Sequence, residues 1–191
     1  MSDQSQTGQV DGAGGPLAYF ITFTCYGTWL HGQDAGSVDR RHNQPDTSVL
    51  PADTARRQEN RDRMGQEPYE LDSQRRPIVL EAIREVCSYR QWRLLAVHVR
   101  ARHVHVVVQA PTNPERVMND FKAYASRALN AAGLDPSERK RWTRHGSTRY
   151  LWTPPRVDEC VHYTLHEQGE PMAAYAEEDA ESRDLAEPRP R

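Results

Sequence analysis

Residues 92–109 read WRLLAVHVRARHVHVVVQ. Two runs rich in β-branched residues, 92–99 and 103–109, flank a short polar link at Arg100 and Ala101. Such runs form strands, and so short a link joins antiparallel neighbours, although it lacks the Asn-Gly chemistry that most two-residue hairpins use. Strand side chains alternate between faces. Val104, Val106 and Val108 therefore enter a core, while His103 and His105 project together from the opposite face. The same link places His98 across from His103 on that face.

The elements on either side of this hairpin complete the fold. Residues 17–25 alternate Tyr19, Ile21 and Phe23 against Phe20, Thr22 and Thr24, which predicts a first strand. A long polar stretch follows, about 26–74, broken by Gly27, Gly32, Gly36, Pro45, Pro51, Gly65 and Pro68. Connections of that length in a compact domain usually carry function or mobility. Ser73 caps a helix with Pro77 in its first turn and Val79, Ile83 and Val86 on its buried stripe. After the hairpin, Asn113-Pro114 opens a second helix with a stripe of Val117, Phe121, Tyr124 and Ala128, and Gly133 ends it. Residues 147–152 (STRYLW) read as a fourth strand. Pro154-Pro155 then starts a last helix that stops at 169–171 (GEP). This order predicts an α+β, ferredoxin-like sandwich: an antiparallel sheet with helices packed on one face. The domain spans 17–172 with an insert at about 27–73, between a polar leader (1–16) and an acidic flexible tail (173–191).

Composition narrows the function classes. The chain has 191 residues, 37% of them hydrophobic, and a mean hydropathy of -0.87. That suits one cored domain with polar excess. The 25 Lys and Arg nearly balance 27 Asp and Glu, but the charge is segregated. From Arg116 to Arg149 the chain is basic, and from Ala173 onward it is acidic. A local basic region is a nucleic-acid footprint or a solvated surface. Three scattered cysteines, Cys25, Cys87 and Cys160, form no CxxC pair, which argues against a disulfide framework or a structural zinc site. No apolar run reaches the length of a membrane span, and the start lacks a signal-peptide core, so a cytoplasmic location is expected.

His103 and His105 on one strand face can hold a single divalent cation, with a third ligand arriving from elsewhere. Taken alone, an HxH pair is equally the polar outer face of a half-buried strand. Its surroundings are more specific. HVHVVV after LLAVHV resembles the HUH signature of single-tyrosine transposases. Residues 19–39 (YFITFTCYGTWLHGQDAGSVD) are similar to the first strand and Gly-rich segment of the REP-associated tyrosine transposases, the group associated with bacterial repetitive palindromes within the IS200-like families. STRYLW and then residues 161–172 (VHYTLHEQGEPM) resemble that group's final strand and tyrosine-bearing helix. The resemblance runs in order from about Leu17 to Met172.

The resemblance implies that Tyr163 is the nucleophile and that His103 and His105 serve catalysis as ligands of Mg²⁺ or Mn²⁺. On a helix of about 100° per residue, Val157, Val161, Thr164, Leu165 and Gln168 form the inner stripe. Tyr163 falls at its flank. Tyr150, Tyr124 and Tyr26 compete for the role, each with a plausible structural one. The resembling proteins complete the metal site with a glutamine one turn after the tyrosine. Here that position holds Glu167, a competent hard ligand on Tyr163's face, with Gln168 and His166 in reserve. The family usually has an apolar residue where His98 stands, so His98 reads as a strand histidine without a ligand role.

Basic and aromatic residues interleave through the segment from Phe121 to Trp152, a pattern suited to holding phosphates and stacking bases. Lys122, Arg127, Arg141, Arg144 and Arg149 are the expected DNA contacts, with Trp29 in the loop after the first strand. The expected activity is metal-dependent cleavage and rejoining of single-stranded DNA at hairpin ends through a 5′-phosphotyrosine, by a homodimer in the bacterial nucleoid region. A domesticated, non-cutting protein that binds structured DNA or RNA is the second reading. A phosphoesterase of small molecules is the third.

Overall fold

The computed structural model describes residues 15–28 and 64–177. The expected leader, Trp29 and most of the insert and acidic tail lie outside the described residues. Five strands and three helices follow in the order β1 (Ala18–Cys25), α1 (Arg75–Arg90), β2 (Arg93–Val99), β3 (His103–Gln109), α2 (Pro114–Ala131), β4 (Trp142–Leu151), α3 (Pro154–His166) and β5 (Ala173–Ala176). They form one sheet of order β4-β1-β3-β2-β5, and its neighbours pair antiparallel. The first four strands and two helices thus have the expected α+β, ferredoxin-like arrangement.

One feature of the layering differs from expectation. Helices α1 and α2 pack on one sheet face, over Tyr19, Ile21, Phe23, Val97, Val99, Val104, Val106 and Val108. Helix α3 packs on the other, over Ala18, Phe20, Ala96, Val107 and Leu151. The sheet is therefore covered on both sides, and β3 is sandwiched between two cores. Cys160 and Thr164 form the buried centre of α3, with Val157, Val161 and Leu165 beside them.

β5 was not expected at all. Ala173–Ala176 falls within the stretch expected to be an acidic tail on its charge, and alanine has low strand propensity. It pairs along β2 through its backbone, Val97 opposite Tyr175. Tyr175 anchors it beneath the Arg84 guanidinium, 4.9 Å from the ring centroid. Two other local differences have simple causes. The cap of α1 is Asp72 rather than Ser73: its carboxylate accepts from the backbone N–H of Gln74 and Arg75 at 3.0 and 2.9 Å. Strand β4 begins five residues earlier than expected, at Trp142 rather than Ser147, through a bulge in which residues 143–145 oppose Thr24 alone.

Two of the expected DNA contacts are spent on this framework. A bulge leaves carbonyls without ladder partners, and Lys122 fills that need. Lys122 is 8% exposed, and its ammonium lies 3.0, 3.5 and 3.1 Å from the carbonyl oxygens of Thr143, Arg144 and His145. Burial pulls its pKa down to about 8, still above neutrality. Arg141 is 4% exposed and donates to Asp135 and Asn130. Gly146 lets β4 pass close by: a Cβ there would stand 2.5 Å from both Met118 Sδ and the Thr22 carbonyl oxygen.

Part of the supposed insert is also framework. Tyr69 and Leu71 are core residues, and their N–H groups donate to the Tyr26 and Ala101 carbonyls at 2.9 and 2.7 Å. Tyr69 Oη donates to Asp135 at 2.5 Å, and Arg75 and Arg141 close on the same carboxylate. This carboxylate is buried, and these donors hold its pKa below the usual range against that burial. Replacing Asp135 with Ala leaves two guanidinium groups and a phenol without their shared acceptor. The expected cost is about 3 kcal/mol, read as a lower midpoint in urea denaturation. Asp135→Asn should retain part of the loss.

Candidate active site

His103 and His105 project from β3 onto the α3 face, as the alternation requires, with ring centroids 4.8 Å apart. His105 is buried between Thr22 and Phe20 of β1. Thr22 Oγ1 lies 2.8 Å from His105 Nδ1, and the Phe20 ring stacks on the imidazole at 5.6 Å. With Nδ1 engaged, Nε2 is the nitrogen left for a ligand. Burial, then the neighbouring His103, push His105 down to about 4, and burial likewise lowers His103. Both rings are thus neutral at pH 7, the form that binds metal.

Tyr163 comes from the flank of α3 as expected. Its side is 39% exposed, and its ring meets His105 at 5.7 Å and Phe20 at 5.9 Å, both edge-to-face. Tyr150 stands on the opposite sheet face, edge-on to Tyr19 and stacked on Trp152. Tyr124 packs at the edge of the larger core beneath Arg127, and Tyr26 borders the same core. Of the four, only Tyr163 meets the histidine pair.

Beyond Tyr163 the structure turns Gln168, rather than Glu167, towards the histidine side of the helix end. The helical projection favoured Glu167, but α3 ends at His166, and Glu167 has left helical geometry (φ -103°, ψ 16°). Glu167 turns away to His162, with Oε1 3.2 Å from Nδ1. Gly169, at φ +75°, redirects the chain. Gln168 swings back to the histidines instead. Its carboxamide nitrogen donates to the Tyr163 carbonyl at 3.2 Å, and its side chain bears on both His103 and His105, favouring their protonated forms against the burial that lowers them. Among the described residues no cluster of three His, Cys, Asp or Glu side chains gathers. The trio that does gather is two imidazoles and a carboxamide.

His98 sits opposite His105, not His103, because the hairpin link extends to Arg102. It is fully buried. Nδ1 lies 2.9 Å from the Thr164 carbonyl, and Nε2 accepts from the Met172 N–H at 3.2 Å. Both nitrogens are engaged, which leaves none for a metal. The ring ties the end of α3 and the approach to β5 to the sheet, bracketing the turn that carries Gln168. This role left no trace in the sequence pattern.

Only one of the expected basic contacts borders the histidines. The Arg149 guanidinium lies 5.9 Å from the Phe20 ring, on the face that carries Tyr163. Arg127 is exposed on α2, across the sheet, and stacks on Tyr124 at 4.3 Å. Arg144 is exposed within the β4 bulge. Sequence reasoning missed Arg100: it donates to the Glu170 carbonyl at 2.5 Å, and its charge bears on His98, His103 and His105. Its position in the hairpin link gave no signal.

The sequence model of the family described as "Transposase IS200 like" matches residues 67–154. Over that segment the chain is similar to the IS200-like transposases. The matched segment holds α1, the histidine hairpin, α2 and β4, and it ends at the first residue of α3, before Tyr163. Two solved structures are similar in part. One is a REP-associated tyrosine transposase bound to a REP hairpin, 14% identical, with a TM-score of 0.47 over 87% of this chain and 72% of that one. The other is described as a transposase of Deinococcus radiodurans, 13% identical, with a TM-score of 0.40 over 83% and 92%. Neither likeness assigns a role to a residue. No curated protein matches the chain. No helix among the described residues is long and apolar enough to cross a membrane.

The lowered histidines give the fold a defined acid sensitivity. A group whose folded pKa lies below its unfolded value contributes stability that is complete above the unfolded pKa and is lost as pH falls towards the folded one. For His105 that window runs from 6.5 down to about 4. Urea denaturation should show a loss on the order of 2 kcal/mol between pH 7 and pH 5 from this ring, with His98 and His103 adding in the same direction. His105→Gln should flatten the slope. An unchanged slope would place the sensitivity elsewhere.

Proposed function

We propose that the chain is a single-tyrosine transposase that cleaves and rejoins single-stranded DNA at hairpin ends, with Tyr163 as nucleophile. The observation that carries this reading is the meeting of Tyr163 with the histidine pair: its ring lies edge-to-face against His105 at 5.7 Å, and His105 lies 4.8 Å from His103.

The donor set fits a divalent cation. Two neutral imidazoles lie side by side, the Gln168 carboxamide is held nearby on the Tyr163 carbonyl, and Thr22 and burial hold His105 in the ligating form. His103, His105 and Gln168 would hold Mg²⁺ or Mn²⁺; Glu167 stands too far round the helix end, engaged with His162. Such an ion supplies Lewis-acid polarisation of the scissile phosphate.

The protein's own residues account for the rest. The phenol of Tyr163 loses its proton, and its oxygen forms a bond to phosphorus. The bond from phosphorus to the 3′ oxygen breaks, and that oxygen leaves as a hydroxyl after taking up a proton. The product is a 5′-phosphotyrosine, which conserves the phosphodiester energy for attack by another 3′ end. Arg149 and Arg100 bring fixed positive charge to the phosphates on either side. Each chain supplies one tyrosine, so exchange of two strands calls for a homodimer, acting in the cytoplasm where the DNA lies.

Incubation with Mn²⁺ and end-labelled hairpin oligonucleotides, followed by denaturation, tests the reading. Tyr163→Phe should abolish the covalent adduct while DNA binding persists, and Tyr150→Phe should leave the adduct intact. His103→Ala with His105→Ala should remove Mn²⁺-dependent nicking. Hairpin binding by the unaltered protein without any adduct would favour the domesticated, non-cutting reading instead.

Thr22 offers a subtler check. Thr22→Val keeps the shape but removes the partner of His105 Nδ1. Mn²⁺ affinity should fall about 10- to 100-fold, measured by titration calorimetry. Unchanged affinity would mean that burial alone orients the ring.

A further inference from the structure

The turn of α3 that carries Tyr163 also carries a second histidine pair. His162 and His166 are four residues apart on one helical face, with ring centroids 5.0 Å apart. Both are exposed. This is the spacing at which two helical histidines chelate one transition metal, as in helix-borne zinc sites.

Two further observations single this pair out from ordinary surface histidines. The first concerns the tautomer of His162. A carboxylate only accepts hydrogen bonds, so the contact of Glu167 Oε1 with His162 Nδ1 at 3.2 Å places the proton on Nδ1. Nε2 is then the free lone pair, and the carboxylate fixes the orientation of the ring, as outer carboxylates do for metal-bound histidines. The second is the setting. Asp158, one turn before His162, lines the same groove between α3 and the β2–β5 edge as both rings. Water would complete the coordination, since among the described residues no third His, Cys, Asp or Glu side chain gathers with the two rings.

We propose that His162 and His166 form a second metal site, selective for late divalent transition metals such as Zn²⁺ and Ni²⁺, which clamps the last turn of α3. It is separate from the His103–His105 site: those rings look into the sheet cleft, and these look outward along the helix. Imidazole pairs suit zinc and nickel, whereas Mg²⁺ prefers an all-oxygen shell with several waters. A clamp across this turn would hold the segment from which Tyr163 and Gln168 reach the cleft.

The test uses the untagged full chain carrying His103→Ala and His105→Ala, so that the cleft pair contributes nothing. Titration calorimetry with Ni²⁺, and separately with Zn²⁺, should show one saturable site, with none for Mg²⁺ under the same conditions. Adding His162→Ala or His166→Ala should eliminate the signal. Glu167→Gln should weaken binding about 10-fold or more. The thermal midpoint should rise with Ni²⁺ in the parent but not in the His162→Ala form. Circular dichroism without metal checks that these exposed substitutions leave the fold intact. No saturable site in the parent overturns the proposal, as does binding that survives loss of both His162 and His166. Neither outcome bears on strand cleavage at Tyr163, which is read by adduct formation.

Discussion

The register of β3, fixed by Val104, Val106 and Val108 in the larger core, determines which way His103 and His105 point. A slip of one residue would reverse every side chain on the strand. It would bury two imidazoles beneath α1 and α2 and send three valines into the cleft. Strand β3 is central, paired with β1 and β2, and covered on both faces. The cost of such a slip is therefore spread over both cores. The alternation visible in HVHVVVQ is thus at once the packing code of the domain and the instruction that places the histidine pair.

Tyr163 and Gln168 depend on a different constraint, the point at which α3 stops. While the helix lasts, side-chain direction follows from arithmetic, and the position of Tyr163 at the stripe's flank was legible for that reason. Past His166 the arithmetic no longer applies. Glu167 and Gln168 exchange the roles that continued rotation gave them. What fixes the new geometry is His98, whose two nitrogens hold the Thr164 carbonyl and the Met172 N–H. It comes from β2, 66 residues from Thr164, and no local pattern announces so distant a brace. The same limit hid β5, which follows the edge of β2 with Ala173 and Tyr175 packed against the larger core.

The basic segment shows a second way in which sequence underdetermines function. Lys122, Arg127, Arg141, Arg144 and Arg149 are alike in a count of charges, and the fold sorts them by what their neighbours lack. The β4 bulge leaves carbonyls to be satisfied, so Lys122 is drawn inward. Asp135 is buried beside Tyr69, so Arg141 and Arg75 are drawn to it. Arg149 keeps its place by the cleft because Phe20, its neighbour across the β1–β4 ladder, offers an aromatic face and no carboxylate. Periodicity reveals which side of a strand a cation occupies. The demand for it arises only once distant segments meet.

Charge within the proposed cleft follows from these placements. The imidazoles are neutral, held so by burial and, for His105, by the neighbouring His103, and Gln168 is neutral as well. Had Glu167 been the third member, an anion would stand where a phosphate must approach. A carboxamide supplies an oxygen donor without that repulsion. Fixed positive charge then comes from Arg100 and Arg149, near the histidines but outside the trio itself. The arrangement separates two tasks that one charged residue would confuse: uncharged donors fix position, while cations at the margin set the potential. The helix end that turned Glu167 outward is therefore part of the chemistry proposed for the cleft, because it decides the sign of the charge that a phosphate would meet.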